Sequence, residues 1–349
     1  MEQTLLKDST RKPTCETTTQ IQTVAIDPGF GSFKYATSAG TAGEIVAHVA
    51  PVLNVDKRIN FASVGMGAEA KAGPKPLLIR NGIGDFYVGL GAKDRGTLIE
   101  NNDLDKLIDS PEARALFYAA MTKAQAVGKF DVLTALPMAL VMGADAKRNV
   151  DQVKAWMGGP HEWQADNHAR VAHVRSVKTL SQAQAVLFDY ALGLDGKEVN
   201  SISGEVGVIS IGHNTIELLV FDGGKPMEAF AANEQKGVRY VLELVAEHMG
   251  ADSVGVVDSW IREKRPEALT HLRAVLPAWH SQIKGLVYRR WRTVKDRLRV
   301  VAVAGGGALP EFAGPTLKGM FGERLAIAHN PTGAVADGLM KLAARGATK

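Results

Sequence analysis

Asp27-Pro28-Gly29-Phe30-Gly31-Ser32-Phe33-Lys34 is the stretch on which the reading of this chain turns. A β-prone run, Thr23-Val24-Ala25-Ile26, stands before it, and β propensity resumes at Lys34-Tyr35-Ala36. Asp-Pro-Gly stops the first run in a tight turn, so the segment predicts a hairpin. The residues in the turn have a chemical use. Glycines let backbone N–H groups approach a phosphate closely. An Asp ending the first strand can hold a hydrated Mg²⁺. A Lys returning on the second strand can neutralise phosphate charge. Taken alone, the stretch is equally an ordinary surface turn, so the rest of the chain must decide.

Three further motifs bear on that decision. Val206 to Ile211, a turn at Gly212-His213-Asn214-Thr215, and Ile216 to Phe221 read as a second strand-turn-strand unit. Val301-Ala302-Val303-Ala304 is an apolar strand running into Gly305-Gly306-Gly307-Ala308, where a flat ring or sugar can lie against bare backbone. Ser181-Gln182-Ala183-Gln184-Ala185 opens a helix, and a glutamine there can orient a water toward a γ-phosphate.

Around these motifs the 349 residues are long enough for two domains at roughly 150 residues each. Their 46% hydrophobic and 22% charged content excludes wholesale disorder. No run of about 18 apolar residues is present, so a membrane-spanning helix is not expected. A single cysteine, Cys15, can form neither an internal disulfide nor a thiolate zinc site, which points to a reducing, cytoplasmic setting. A net charge of +4 spread over this length is weak support for nucleic-acid binding. Residues 1–20 are polar and Thr-rich and are expected to form a flexible tail. Strands are expected at Glu44 to Val55, Phe86 to Gly91, Asp131 to Leu136 and His168 to Val177. Helices are expected from Ser110 to Val127, Asp145 to Trp156, Ser181 to Leu192, Gly237 to Met249, Asp252 to Arg262, Pro277 to Leu298 and Pro331 to Ala343. Strand-turn-strand at the head of each half predicts an α/β chain of two similar domains. The basic run Tyr288 to Arg299 reads first as a solvated helix face and, as the sharper alternative, as a surface for nucleic acid or a neighbouring subunit. His161, His168 and His173 lack metalloprotease spacing.

The four motifs, in this order, resemble the actin-type ATPases, a superfamily that includes the 70-kDa heat-shock chaperones and sugar kinases. The first keeps the spacing Asp-x-Gly-x-Gly-x-x-Lys. Asn330-Pro331-Thr332-Gly333-Ala334-Val335-Ala336-Asp337-Gly338 is similar to that family's second interdomain connector, and Leu133-Thr134-Ala135-Leu136-Pro137 to the strand before its first. Chain length and short loops resemble the ParM/StbA plasmid-segregation branch. The resemblance implies an actin-like, ribonuclease H-like two-domain fold with a nucleotide cleft between the domains. Domain I would span 21–200, completed by 331–349, and domain II 201–330. It also implies ATP and Mg²⁺ as ligands. Asp27 would hold the metal through water. Gly29, Gly31, Ser32 and Lys34 would cradle the β-phosphate side. Gly212, His213, Asn214 and Thr215 would close over the γ-phosphate, and Gly305, Gly306, Gly307 and Ala308 would line the adenosine site. Gln182 and Gln184 compete for the water-orienting role, with Gln182 preferred.

Two residues depart from the family pattern. Ser210 stands where a second Mg²⁺-linked Asp is usual, and Glu217 where the hairpin's closing Asp is usual. A neutral hydroxyl in the first place implies slow hydrolysis with nucleotide binding retained. The implied function is a filament-forming, nucleotide-dependent protein of plasmid or mobile-element segregation, contacting copies of itself head to tail and a DNA-bound adaptor rather than DNA or membrane. The alternative is a non-polymerising ATP-dependent regulator or sugar-kinase relative. Other nucleotide folds fit worse: there is no Gly-x-x-x-x-Gly-Lys-Ser/Thr loop, and Lys34 stands at the third glycine of a dinucleotide fingerprint.

Overall fold

The structure, a computed structural model, describes residues 22–53, 74–99 and 103–347. The expected tail 1–20 with Cys15, the end of the strand expected at Glu44 to Val55, and the last two residues lie outside the described residues. Strands β1 (Thr23–Pro28), β2 (Ser32–Thr37), β3 (Ala42–Val46), β4 (Val49–Pro51), β5 (Leu77–Asn81), β6 (Gly84–Val88), β7 (Gly128–Leu136), β8 (Gly159–Ala165) and β9 (His168–Ser181) form one sheet. Its order is β3-β2-β1-β7-β9-β8-β5-β6-β4. Strands β10 (Glu205–Ile211), β11 (Ile216–Asp222), β12 (Lys225–Glu234), β13 (Val300–Ala304) and β14 (Leu325–Ile327) form the other, in the order β12-β11-β10-β13-β14. Each sheet therefore contains the same run: a hairpin whose first strand is flanked on its far side by a parallel strand, β7 beside β1 and β13 beside β10.

The helices are α1 (Asp105–Ile108), α2 (Pro111–Lys123), α3 (Met138–Val141), α4 (Ala146–Met157), α5 (Gln182–Ala191), α6 (Val238–Met249), α7 (Val254–Arg262), α8 (Pro266–Trp291), α9 (Gly314–Phe321) and α10 (Ala334–Ala347). Helices α2 and α4 cover the outer face of the first sheet, and α6, α8 and α9 that of the second. Helices α5 and α10 lie between the sheets in a third core containing Ala25, Ala135, Val186, Val208, Leu219, Ala302 and Leu339. None of the described helices is long and apolar enough to cross a membrane.

Some expected boundaries move. The helix expected from Pro277 begins at Pro266 and carries Pro277 inside it. Leu272, Leu276, Trp279 and Ile283 continue one buried stripe through the proline, and that burial outweighs one missing backbone bond. The helix expected to reach Val127 stops at Lys123; Gln125 and Gly128 turn the chain with positive φ. Gly158-Gly159-Pro160 ends α4 as expected but also starts β8, which was not expected. Strands β5, β12 and β14 were likewise not expected.

Candidate functional site

Side-chain alternation along a strand sends neighbours to opposite faces. On β1, Val24 and Ile26 enter the outer core, so Ala25 and Asp27 face the second sheet. On β10, Ile209 and Ile211 enter the outer core, so Val208 and Ser210 face the first. The two hairpins thus present Asp27 and Ser210 toward each other's lobe. Across the hairpins, Lys34 pairs with Asp27 and Glu217 with Ser210.

The turns meet at one cleft of about 450 Å³. Asp27, Gly29, Gly31, Ser32 and Lys34 line it from the first sheet; Ser210, Gly212, His213, Asn214 and Thr215 line it from the second. The second turn is pinned by the start of α6, where the Gly237, Val238 and Arg239 amides donate to the carbonyls of Asn214, Gly212 and His213. Those amides are ones a helix start leaves unpaired. A Cβ on Gly31 would come to 3.0 Å from three atoms of His213, so a side chain there would press the two turns apart by a few tenths of an ångström.

Asp27 is buried on the cleft floor. Its Oδ1 accepts from Gln182 Nε2 at 2.9 Å, and Oδ2 lies 3.6 Å from Lys34 Nζ. Burial pushes the Asp27 carboxyl up, while Lys34 and Gln182 pull it back down. His213 is pushed down to about 4, chiefly by desolvation, so its ring is neutral near pH 7. Glu217 is pushed up to about 7 by burial, with the nearby Asp27 charge adding to the rise. Its Oε1 accepts from the Met138 amide at 2.7 Å, which ties the second sheet to the start of α3, and Oε2 is buried without a hydrogen-bond partner.

Other expected site residues fall elsewhere. Gln184 is not in the cleft: its Oε1 accepts from the Ser181 amide at 3.1 Å, completing a capping box with Ser181. Gln182, two positions earlier, lines the cleft instead. Gly305 and Gly306 line the cleft, but Gly307 and Ala308 are buried and turned away, because the chain enters a 3₁₀ turn at Gly306 and packs Gly307 against Ile211. Glu44, Asp258, Arg262, Lys264, Phe312 and Thr332 also line the cleft and were not foreseen. The i,i+4 pair Asp258/Arg262 was the one local signal among them. Among the described residues, no three His, Cys, Asp or Glu side chains form a metal cluster.

Residues 25–184 match the N-terminal domain of actin-like proteins. No curated protein matches the chain in sequence. Several solved structures share its fold. The ParM protein of pSK41, in its apo form, is 15% identical, with a TM-score of 0.65 over 92% of this chain and 96% of its own. Ta0583, an archaeal actin homologue solved in complex with ADP, is 16% identical, with a TM-score of 0.69 over 93% and 99%. A 15-stranded ParM filament from Clostridium botulinum is 15% identical, with a TM-score of 0.69 over 92% and 98%. Over residues 25–184 the chain is thus similar to the N-terminal domain of actin-like proteins, and its mixed α/β fold is that of the ParM-type actin homologues.

Proposed function

We propose that this chain binds ATP with Mg²⁺ in the cleft and assembles head to tail into nucleotide-dependent filaments that segregate plasmid or mobile-element DNA in the cytoplasm. The observation that carries the reading is the meeting of two glycine-containing turns, one from each sheet, over a floor where Asp27 contacts both Lys34 and Gln182. The lining suits the ligand. Lys34 and Arg262 supply positive charge, and Gly306 offers bare backbone whose added Cβ would meet nothing closer than Thr332 Cγ2 at 3.9 Å. Asp27 would hold Mg²⁺ through water, a role that needs one carboxylate beside phosphate oxygens rather than a cluster. The ion would supply charge neutralisation on the phosphates. Gln182 would orient the attacking water while its Nε2 holds Asp27. Ser210, a neutral hydroxyl on the cleft wall, makes hydrolysis slow.

Filament formation draws support from the similar ParM and Alp12 proteins solved as filaments. Head-to-tail contacts are heterologous and so extend without closing. A DNA-bound adaptor would link the filament to its cargo. The protein spun with Mg-ATP is expected to pellet and to show filaments in negative stain. Asp27→Ala is expected to weaken Mg-ATP binding by roughly tenfold, about 1.4 kcal/mol. A strict monomer with ATP bound would favour the non-polymerising regulator, and unchanged affinity in folded Asp27→Ala would remove Asp27 from the site.

A further inference from the structure

The basic run at the end of α8 has no part in the cleft. Taken back to Lys284, the segment 284–299 holds seven Lys and Arg against one acid, Asp296, a net +6 where the whole chain carries +4. The rest of the chain is therefore slightly acidic, and the positive charge is concentrated here. Lys284, Tyr288 and Arg292, the residue that ends α8, recur every four positions and so lie along one face. All three are exposed, while Ile283, Val287 and Trp291, one position earlier in each case, are buried in the core of the second sheet. Past the helix, Lys295 Nζ lies 5.2 Å over the Tyr288 ring. Arg324 Nη1 donates to the Lys295 carbonyl at 2.9 Å, which brings a further cation to the same turn. Arg289 and Arg297 are neutralised by Glu234 and Glu205, each at 2.7 Å. Lys284, Arg292, Lys295 and Arg324 have no acidic partner among the described residues. A helix C-terminus favours cations within its last turn, which accounts for Arg289 and Arg290 but not for Lys284 or Lys295. Tyr288 stays 52% exposed among these cations, so it does not fill a core.

We propose that this face of α8 is a binding surface for duplex DNA, held through its phosphate backbone. It goes beyond the proposed function, in which an adaptor carries the DNA, and does not depend on nucleotide in the cleft. The unpaired cations form a line rather than a pocket. From Lys284 to Arg292 the helix rises roughly 12 Å, the length of three to four phosphates along one strand. Such a line suits a polymer of phosphates better than a single small anion. Lys295 occupies one face of the Tyr288 ring, which favours contact of the hydroxyl with a phosphate over stacking of an unpaired base, and so duplex over single strand. A second copy of the chain complements the surface less well: in the acidic stretch 103–112, Asp109 is already paired with Arg114 and Glu112 with Lys106. Phosphate contacts carry no sequence information, so binding is independent of sequence and steeply dependent on salt.

The test titrates the full chain, without nucleotide, onto a short fluorescein-labelled duplex of arbitrary sequence, read by anisotropy from about 50 to 200 mM salt. Contacts from Lys284, Arg292, Lys295 and Arg324 to four phosphates give a slope of log affinity against log salt of roughly −3.6. Lys284→Glu combined with Arg292→Glu is expected to weaken binding by roughly tenfold or more and to halve that slope. Both positions are exposed, so the variant is expected to melt as wild type does. Lys147→Glu combined with Arg148→Glu, at exposed positions of α4, changes net charge by the same amount and is expected to keep the affinity within about twofold. Absence of binding at about 50 mM salt, or equal losses in the two double variants, would overturn the proposal. Tighter binding of the matching single strand would also overturn it, by assigning Tyr288 to base stacking. Polyglutamate that competes as well as unlabelled duplex would make the partner an acidic protein instead. Loss of DNA-free self-association in the Lys284→Glu, Arg292→Glu variant, read by sedimentation velocity, would make this face a contact between copies. The proposed function stands or falls separately, on Mg-ATP binding and pelleting.

Discussion

Glu217 is under electrostatic tension at the site: almost no exposure, one oxygen on the Met138 amide, the other without a partner, and Asp27 nearby. In the unfolded chain it ionises near its ordinary 4.5, whereas in the folded protein it stays protonated up to about 7. The folded state therefore binds more protons across that window, and Glu217 costs stability as pH rises through it. His213, pushed from 6.5 down to about 4, acts in the opposite sense over much of the same range. The wild-type pH profile alone thus mixes the two, and Glu217→Gln separates them while keeping an acceptor for Met138. We expect the variant to gain on wild type by on the order of 2 kcal/mol between pH 5 and pH 8, read from urea denaturation at each pH. A pH-independent difference would mean that Glu217 ionises normally. At this scale the motif residues on the two hairpin turns were legible, because turn chemistry and strand alternation are local. The choice between Gln182 and Gln184 was not: it depends on which side chain the helix start consumes. Glu44, Asp258 and Arg262 were illegible because only the packing of distant elements brings them to one cleft.

The start of α5 joins an element's stability to the site. Ser181 Oγ accepts from the Gln184 amide at 3.1 Å, the Gln184 side chain returns to the Ser181 amide, and Gln182, held between them in the first turn, reaches Asp27. Removing an N-cap hydroxyl typically costs about 1 kcal/mol. Ser181→Ala is expected to lose about that much in urea denaturation and also to weaken Mg-ATP binding, because the first turn no longer fixes Gln182. A loss of stability with unchanged affinity would show that Gln182 is positioned by other contacts. This element was readable from Ser181 and its period of apolar residues. The strands that escaped were of another kind. On β12 the alternation is blurred by exposed and half-buried positions, and β14 has three residues, too few to show a period. In β8 the alternation is clear, but Gly159-Pro160 at its head reads as a stop.

In the whole molecule, each sheet has an outer core of its own, but the core between them belongs to both. Val186 and Leu187 of α5 and Leu339 of α10 are buried there with Ala25 and Ala135 of the first sheet and Val208 and Ala302 of the second. Unfolding either lobe alone would expose that shared apolar surface, so a single cooperative transition is expected in calorimetry. A ligand gripped by turns from both sheets should then raise the whole transition rather than part of it. At a free Mg-ATP concentration 100 times its Kd the gain is about 2.7 kcal/mol. For a chain of this size that amounts to several degrees in Tm, at about 2–4 °C per kcal/mol for domains of 150–250 residues. Gly306→Val supplies the control. Gly306 has no positive φ, and an added Cβ there meets only Thr332 Cγ2 at 3.9 Å, so the fold should tolerate valine. Its side chain nevertheless occupies the surface against which the sugar and base would lie. The variant is expected to melt near wild type without nucleotide and to lose most of the Mg-ATP shift. Two resolved transitions, with only one moved by Mg-ATP, would mean that one sheet holds the ligand alone and that the shared helices do not couple the lobes.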